Sequence, residues 1–169
     1  CLSLPSPRRP LSAPKNIQIS EKSKHSLTLE DLYLKPIIKW DEKITNRWTV
    51  SEKAAQQRLD EFVLDELQDY RDGRNFPDKA NVSRLSPYLH FGQISPNTAW
   101  FRALDASALI ANEKSLDTFL SELGWREFSY YLLYHFPHLP HKNLQSKFDA
   151  FPWPKTQASI LRLWKSGKT

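Results

Sequence analysis

The stretch FLSELGWREFSYYLLYHFP (Phe119–Pro137) decides the fold class. Leu120, Leu123, Phe128, Tyr131 and Leu132 recur at helical spacing and form an apolar face. Glu122, Trp125, Arg126 and Ser129 stand at i, i+3, i+4 and i+7 and share a second stripe. The pattern predicts a long helix over roughly Ser115 to Phe136. Charge, hydroxyl and indole on one stripe suit the wall of a cavity. The same spacing also fits a surface stripe on which Glu122 and Arg126 form an exposed pair worth only about 0.3–0.5 kcal/mol, with Trp125 half buried. Spacing leaves both open.

Working upstream, YRDGRNFPDKANVSRLSPYLHFGQIS (Tyr70–Ser95) carries Ser86-Pro87, the expected chemistry of a helix start, with Ser at the cap and Pro in the first turn. A helix start offers unpaired N–H groups and positive dipole, and the Ser83 and Ser86 hydroxyls with the Arg74 and Arg84 guanidiniums add donors for an anion. The plainer reading has Ser86 capping its helix and the arginines in water. Before this stretch, Ala55, Leu59, Phe62, Val63, Leu67 and Tyr70 predict one amphipathic helix, capped by Thr49 with Glu52 or by Ser51 alone. It should stop before RDGRNFP, where Gly73 and Pro77 end helical geometry. Gly92 should close the Ser86-Pro87 helix, and Ser95-Pro96 should open another that carries Trp100 and Phe101. A Pro-broken loop with Phe148, Phe151 and Trp153 then leads to a helix from about Ser159 to Lys165, ending at Gly167. No strand pattern or internal repeat is visible, so the fold class is mainly α.

With 169 residues, 40% of them apolar and 12% aromatic, one domain with a real core is the expectation. No apolar run approaches the roughly 20 residues of a membrane helix. No signal sequence opens the chain, which reads as soluble, intracellular and cytoplasmic. The chain starts at Cys1 and contains no methionine, so it reads as an internal piece of a longer protein. A formal charge of +5 favours an anionic partner, nucleic acid being the commonest for such a domain, although five charges spread over a solvated surface steer nothing. PSPRRPLSAP and the Ser/Lys/Glu-rich stretch ending at His25 read as an extended connector, with Arg8 and Arg9 able to meet phosphate or simply keep the chain solvated.

From about Trp40 to Thr169, these blocks, in this order, resemble the flavin-binding helical domain of the DNA photolyase and cryptochrome family. They are most like a class I cyclobutane pyrimidine dimer photolyase. The resemblance implies an inter-domain linker over residues 1–39, and over 40–169 the N-terminal portion of the helical FAD-binding domain. It implies FAD in the intact parent, no antenna pigment on this chain, a monomer, and damaged DNA bearing a pyrimidine dimer as partner. FAD would be held by Tyr70, Arg74, Val82, Ser83, Arg84, Leu85, Ser86 and Arg126, with its phosphates on the Val82–Ser86 stretch. Val82 stands where the family usually has threonine, so one hydroxyl is missing there.

The resemblance also assigns catalytic and DNA-binding roles. Glu122 would bond the damaged base or the flavin adenine, Trp125 would be the wall against which the flipped dimer stacks, and Arg74 would touch DNA. Flipping is a general property of photolyases: a dimer stacks and pairs poorly, and an aromatic wall returns about 1–3 kcal/mol. A carboxylate in a partly dry cavity can also exchange a proton there if burial raises its pKa. Trp153 in FDAFPWP would be the outermost tryptophan of an electron-transfer chain. The isolated chain should bind FAD weakly or not at all and dissolve poorly.

Two further functions stay open: a cryptochrome-type light sensor without repair activity, and a helical nucleic-acid-binding module without cofactor. Two motifs are set aside. SGKT (Ser166–Thr169) resembles the end of a phosphate-binding loop, but Arg162 stands where a glycine is needed and no strand precedes it. His135, His138 and His141 recur every third residue without a completing cysteine or carboxylate, and Pro137 and Pro140 explain the loop, so no metal is expected.

Overall fold

Ala55, Leu59, Phe62, Val63, Leu67 and Tyr70 are all buried, as their spacing predicts, yet the segment carrying them is not one regular helix. The computed structural model describes residues 5–18, 26–28 and 30–169. Cys1 and the end of the Ser/Lys/Glu-rich stretch at His25 lie outside the described residues.

After the single turn α1 (Glu42–Thr45), Ser51 caps α2 (Glu52–Glu61) by accepting the Ala54 N–H at 3.0 Å. Thr49 does not cap. Its carbonyl accepts the Tyr88 hydroxyl at 3.1 Å instead. The chain then unwinds into a π turn, Phe62–Glu66, in which the Leu67 N–H reaches back to the Phe62 carbonyl, and tightens into a 3₁₀ turn, Leu67–Asp69. Underwinding followed by overwinding restores the phase, so the apolar residues still fall on one face. One polar group is released and caught: the Arg71 N–H donates to the fully buried Ser115 hydroxyl at 3.2 Å.

Helix α3 (Tyr70–Gly73) carries on through three of the residues expected to end it. Gly73 does not break the helix; it lets the following loop approach. A Cβ there would stand 2.6 Å from both Cβ and Cγ of Asn81. Gly73→Ala should therefore destabilise the chain by about 1–2 kcal/mol, overpacking outweighing the better helix propensity of alanine. In an Asn81→Gly background the same change should cost nothing, and urea unfolding of the four variants would check the coupling.

Helix α4 (Ser86–His90) begins one residue earlier than predicted. Leu85 occupies the cap position without a side-chain bond, so Ser86 is the first helical residue and not the cap. The backbone reason lies just upstream. Arg84 adopts left-handed geometry (φ 53°), turning the chain into the helix, while the Ser83 hydroxyl accepts the Leu85 N–H at 3.4 Å. Gly92 (φ 70°) closes α4 as expected. Ser95 caps α5 (Pro96–Asp105) by accepting the Thr98 N–H at 3.0 Å. Arg102 on α5 bonds Asp60 on α2 at 2.5 Å. Arg9 lies 4.5 Å from the Phe101 ring centre and 3.6 Å from Asp105, and the Arg8 carbonyl accepts from Asn97 at 2.7 Å. This part of the expected connector thus contacts α5.

Helix α6 (Glu113–His135) matches the predicted span, but only its first half is buried, through Leu116, Phe119, Leu120 and Leu123. Phe128 and Tyr131, on the same apolar face, are 40% and 58% exposed and stack on each other at 6.5 Å. Periodicity says which side of a helix is apolar. It does not say how far along the helix a neighbour covers that side.

The chain divides into two compact units, Cys1–Trp125 and Arg126–Thr169. The first holds the core. In the second, a 3₁₀ turn (Ser146–Phe148) precedes α7 (Ala158–Lys165), and every residue from His141 onward is exposed. Gly167 (φ 66°) terminates α7, and the Lys168 N–H bonds back to the Leu163 carbonyl at 2.9 Å. SGKT is therefore a helix end rather than a phosphate loop. His135 rests 4.2 Å from the Tyr131 ring and His138 6.2 Å from Phe136. Among the described residues there is no strand, no metal-binding cluster, and no helix long and apolar enough to cross a membrane.

Candidate functional site

Tyr70 and Arg74, from the end of the first helical run, meet Glu122 from α6. Three packed rings bring these segments together. Phe62 lies 4.9 Å from Phe119 and 5.4 Å from Tyr70, and Tyr70 lies 5.7 Å from Phe119. On this support Arg74 donates from Nη1 to Glu122 Oε1 in a short contact, and its guanidinium sits 5.7 Å from the Tyr70 ring centre. Glu122 thus has a partner 48 residues away in sequence, whereas its spacing had suggested Arg126. Both side chains are about one-third or more exposed, so the pair adds at most about 1 kcal/mol to stability. Its value is positional: the carboxylate and guanidinium are fixed at the edge of the aromatic support.

The hydrogen bond to Glu122 raises the pKa of Arg74. Burial raises that of Tyr70 above its ordinary 10.0, opposed by its hydrogen bond to Arg74. A raised folded-state pKa means that Tyr70 contributes stability fully below about pH 10, and that this is lost as pH climbs through the folded value. Tyr70→Phe should therefore flatten the alkaline limb of the stability profile, as read by urea unfolding at stepped pH. An unchanged limb would contradict the burial of the phenol.

Trp125, three residues beyond Glu122, is 60% exposed and is not a core residue. The Ser83–Ser86 segment sits differently from a bare helix start. The Val82 and Ser83 carbonyls are held by Arg58, Ser86 is exposed, and Leu85 is sealed in the core, so only its backbone is available to a ligand. Arg84 lines a groove of about 640 Å³ with Arg47, Trp48 and Tyr88. Arg126 and Trp153 belong to the second unit. Arg126 bonds Glu127 at 2.7 Å and packs 4.8 Å from the Tyr130 ring centre, and Trp153 is exposed with its ring 4.7 Å from Phe151. Arg58 and Glu66 escaped the sequence reading. Arg58 and Glu66 are eight residues apart, about 12 Å along a regular helix, and no side-chain pairing rule flags that spacing.

Residues 119–169 match the family model described as the FAD binding domain of DNA photolyase. The deoxyribodipyrimidine photo-lyase of Agrobacterium fabrum is 37% identical over 164 residues, 96% of this chain and 34% of that protein. A crystal structure of a bacterial class III photolyase from Agrobacterium tumefaciens superposes with a TM-score of 0.73 at 39% identity, covering 93% of this chain and 31% of that one. The chain belongs to the DNA photolyase and cryptochrome family. Cryptochrome-1 of Arabidopsis thaliana is 29% identical over 179 residues, 100% of this chain and 26% of that protein. The chain spans about a third of the length of the first of these relatives. The similar solved structure is of class III, where the sequence reading named class I. In this family setting the donor set fits a flavin dinucleotide: a phenol and a guanidinium on the aromatic support, and the Ser83 and Ser86 hydroxyls beside a left-handed backbone turn.

Proposed function

We propose that this chain is the N-terminal portion, over residues 40–169, of the FAD-binding domain of a light-driven photolyase that repairs cyclobutane pyrimidine dimers, with residues 1–39 as its inter-domain connector. The observation that carries the reading is the Tyr70–Arg74–Glu122 cluster on its three-ring support, with the largely exposed Trp125 one helical turn further along. Bound FAD supplies the light absorption and the electron for repair. The chain's own residues bind and orient. Ser83, Ser86 and the backbone from Val82 to Leu85 offer donors to phosphate, and Arg74 and Glu122 hold a charged edge to which a base can hydrogen-bond. Trp125 offers a stacking face to an extruded dimer. Trp153, the proposed outermost member of an electron-transfer chain, is exposed beside Phe151. The protein acts as a cytoplasmic monomer on damaged DNA.

A cryptochrome-type sensor is the second reading, supported by the match of this chain to 26% of Cryptochrome-1. A chimera separates the two. Residues 40–169 replace the equivalent stretch of the Agrobacterium fabrum photo-lyase, and FAD content and light-dependent loss of dimers from irradiated DNA are measured. Repair requires both. Flavin without repair points to the sensor, and absence of flavin removes both readings.

A further inference from the structure

The loop expected to meet phosphate is held from behind by a residue that nothing in the sequence singled out. Arg58 Nε donates to the Ser83 carbonyl at 3.0 Å and Nη2 to the Val82 carbonyl at 3.1 Å. Nη2 also meets Glu66 Oε2 at 2.5 Å, and Nη1 meets Glu61 at 3.4 Å. The side chains of Arg58 and Glu66 are each only 19% exposed. The guanidinium is a rigid planar fork, so one edge of it takes two successive carbonyls.

Peptide planarity then fixes the other side of the loop. In a trans peptide the N–H points opposite the preceding carbonyl. With the Val82 and Ser83 carbonyls turned to Arg58, the N–H groups of Ser83 and Arg84 point away from it. Arg84 is left-handed, a backbone that a non-glycine residue keeps only where its surroundings hold it. Successive N–H groups around such a turn make an anion-binding concavity. Neither N–H has a hydrogen-bond partner among the described residues. Leu85, sealed in the core, anchors the next position. The π turn at Phe62–Glu66 supplies the remaining piece, since it brings Glu66 to Arg58.

We propose that Arg58 and Glu66 form a positioning pair that aims the Ser83 and Arg84 amides at the phosphates of the ligand. This rests on the proposed function for the identity of that ligand. Flanked by Glu66 and Glu61, Arg58 has its charge offset and acts through geometry, not by attracting phosphate itself.

The test uses the 169-residue chain, with amide relaxation by NMR and titration with inorganic pyrophosphate. In the unaltered chain the Ser83 and Arg84 amides should be as rigid as the helices, with order parameters of about 0.85, and pyrophosphate should shift their resonances. Arg58→Met should drop both below about 0.6 and weaken pyrophosphate about tenfold, with α5 and α6 unchanged. Arg58→Lys, which has no fork, should fall between. Should Arg58→Met fail to fold, Glu66→Gln decides through the same two amides, which should loosen with a loss of about threefold in binding. Unchanged amide order in variants that fold overturns the proposal. If pyrophosphate shifts nothing while the amides still loosen, the positioning pair stands and the phosphate site falls.

Discussion

Replacing Phe62 with alanine is expected to lower the free energy of unfolding by about 3–5 kcal/mol. Phe62 is completely buried, and its ring touches both Phe119 and Tyr70, so it joins α6 to the end of the first helical run. Its carbonyl also accepts the long-range bond of the π turn, which limits how far the backbone can move in to fill the cavity. Against a usual total of about 5–15 kcal/mol, this removes a large fraction of the stability. Because Tyr70 and Phe119 are the support on which Arg74 meets Glu122, the same change should also loosen the candidate site. Urea unfolding followed by helical circular dichroism reads the first effect, and a loss below about 1 kcal/mol would show that the three rings do not form the keystone described here.

Trp125→Ala is expected to behave in the opposite way. An indole that is 60% exposed contributes little to folding, so stability should stay within about 0.5 kcal/mol of the unaltered chain. Removing the stacking face should cost about 1–3 kcal/mol of preference for dimer-bearing over undamaged DNA in the chimera, roughly five- to more than a hundredfold. Trp125→Phe should keep part of it. Competition binding with matched damaged and undamaged oligonucleotides measures the preference. Equal preference in the alanine variant would remove the wall role, and a large stability loss would mean that the indole is structural.

Helix positions were legible because local chemistry sets them. Ser51 and Ser95 cap as their hydroxyls suggest, Gly92 and Gly167 close helices in left-handed geometry, and α6 runs within two residues of its predicted span. Other readings needed correction where the surrounding structure overrides a local rule. Gly73 is small so that Asn81 can approach, which no spacing reveals. Ser86 yields the cap because Arg84 turns the chain one residue early.

The candidate site divides along the same line. Residue types and periodicity were enough to establish a helical chain, and the resemblance of its motifs to the photolyase and cryptochrome family nominated Tyr70, Arg74, Glu122 and Trp125, because short-range propensities and motif order are written along the chain. Only the tertiary structure paired Glu122 with Arg74 in place of Arg126, unwound the helix at Phe62–Glu66, and set Arg58 against the Val82 and Ser83 carbonyls. Those choices depend on which side chains end up within hydrogen-bond reach across separations of 24 to 48 residues, a distance that packing of the rings and helices decides.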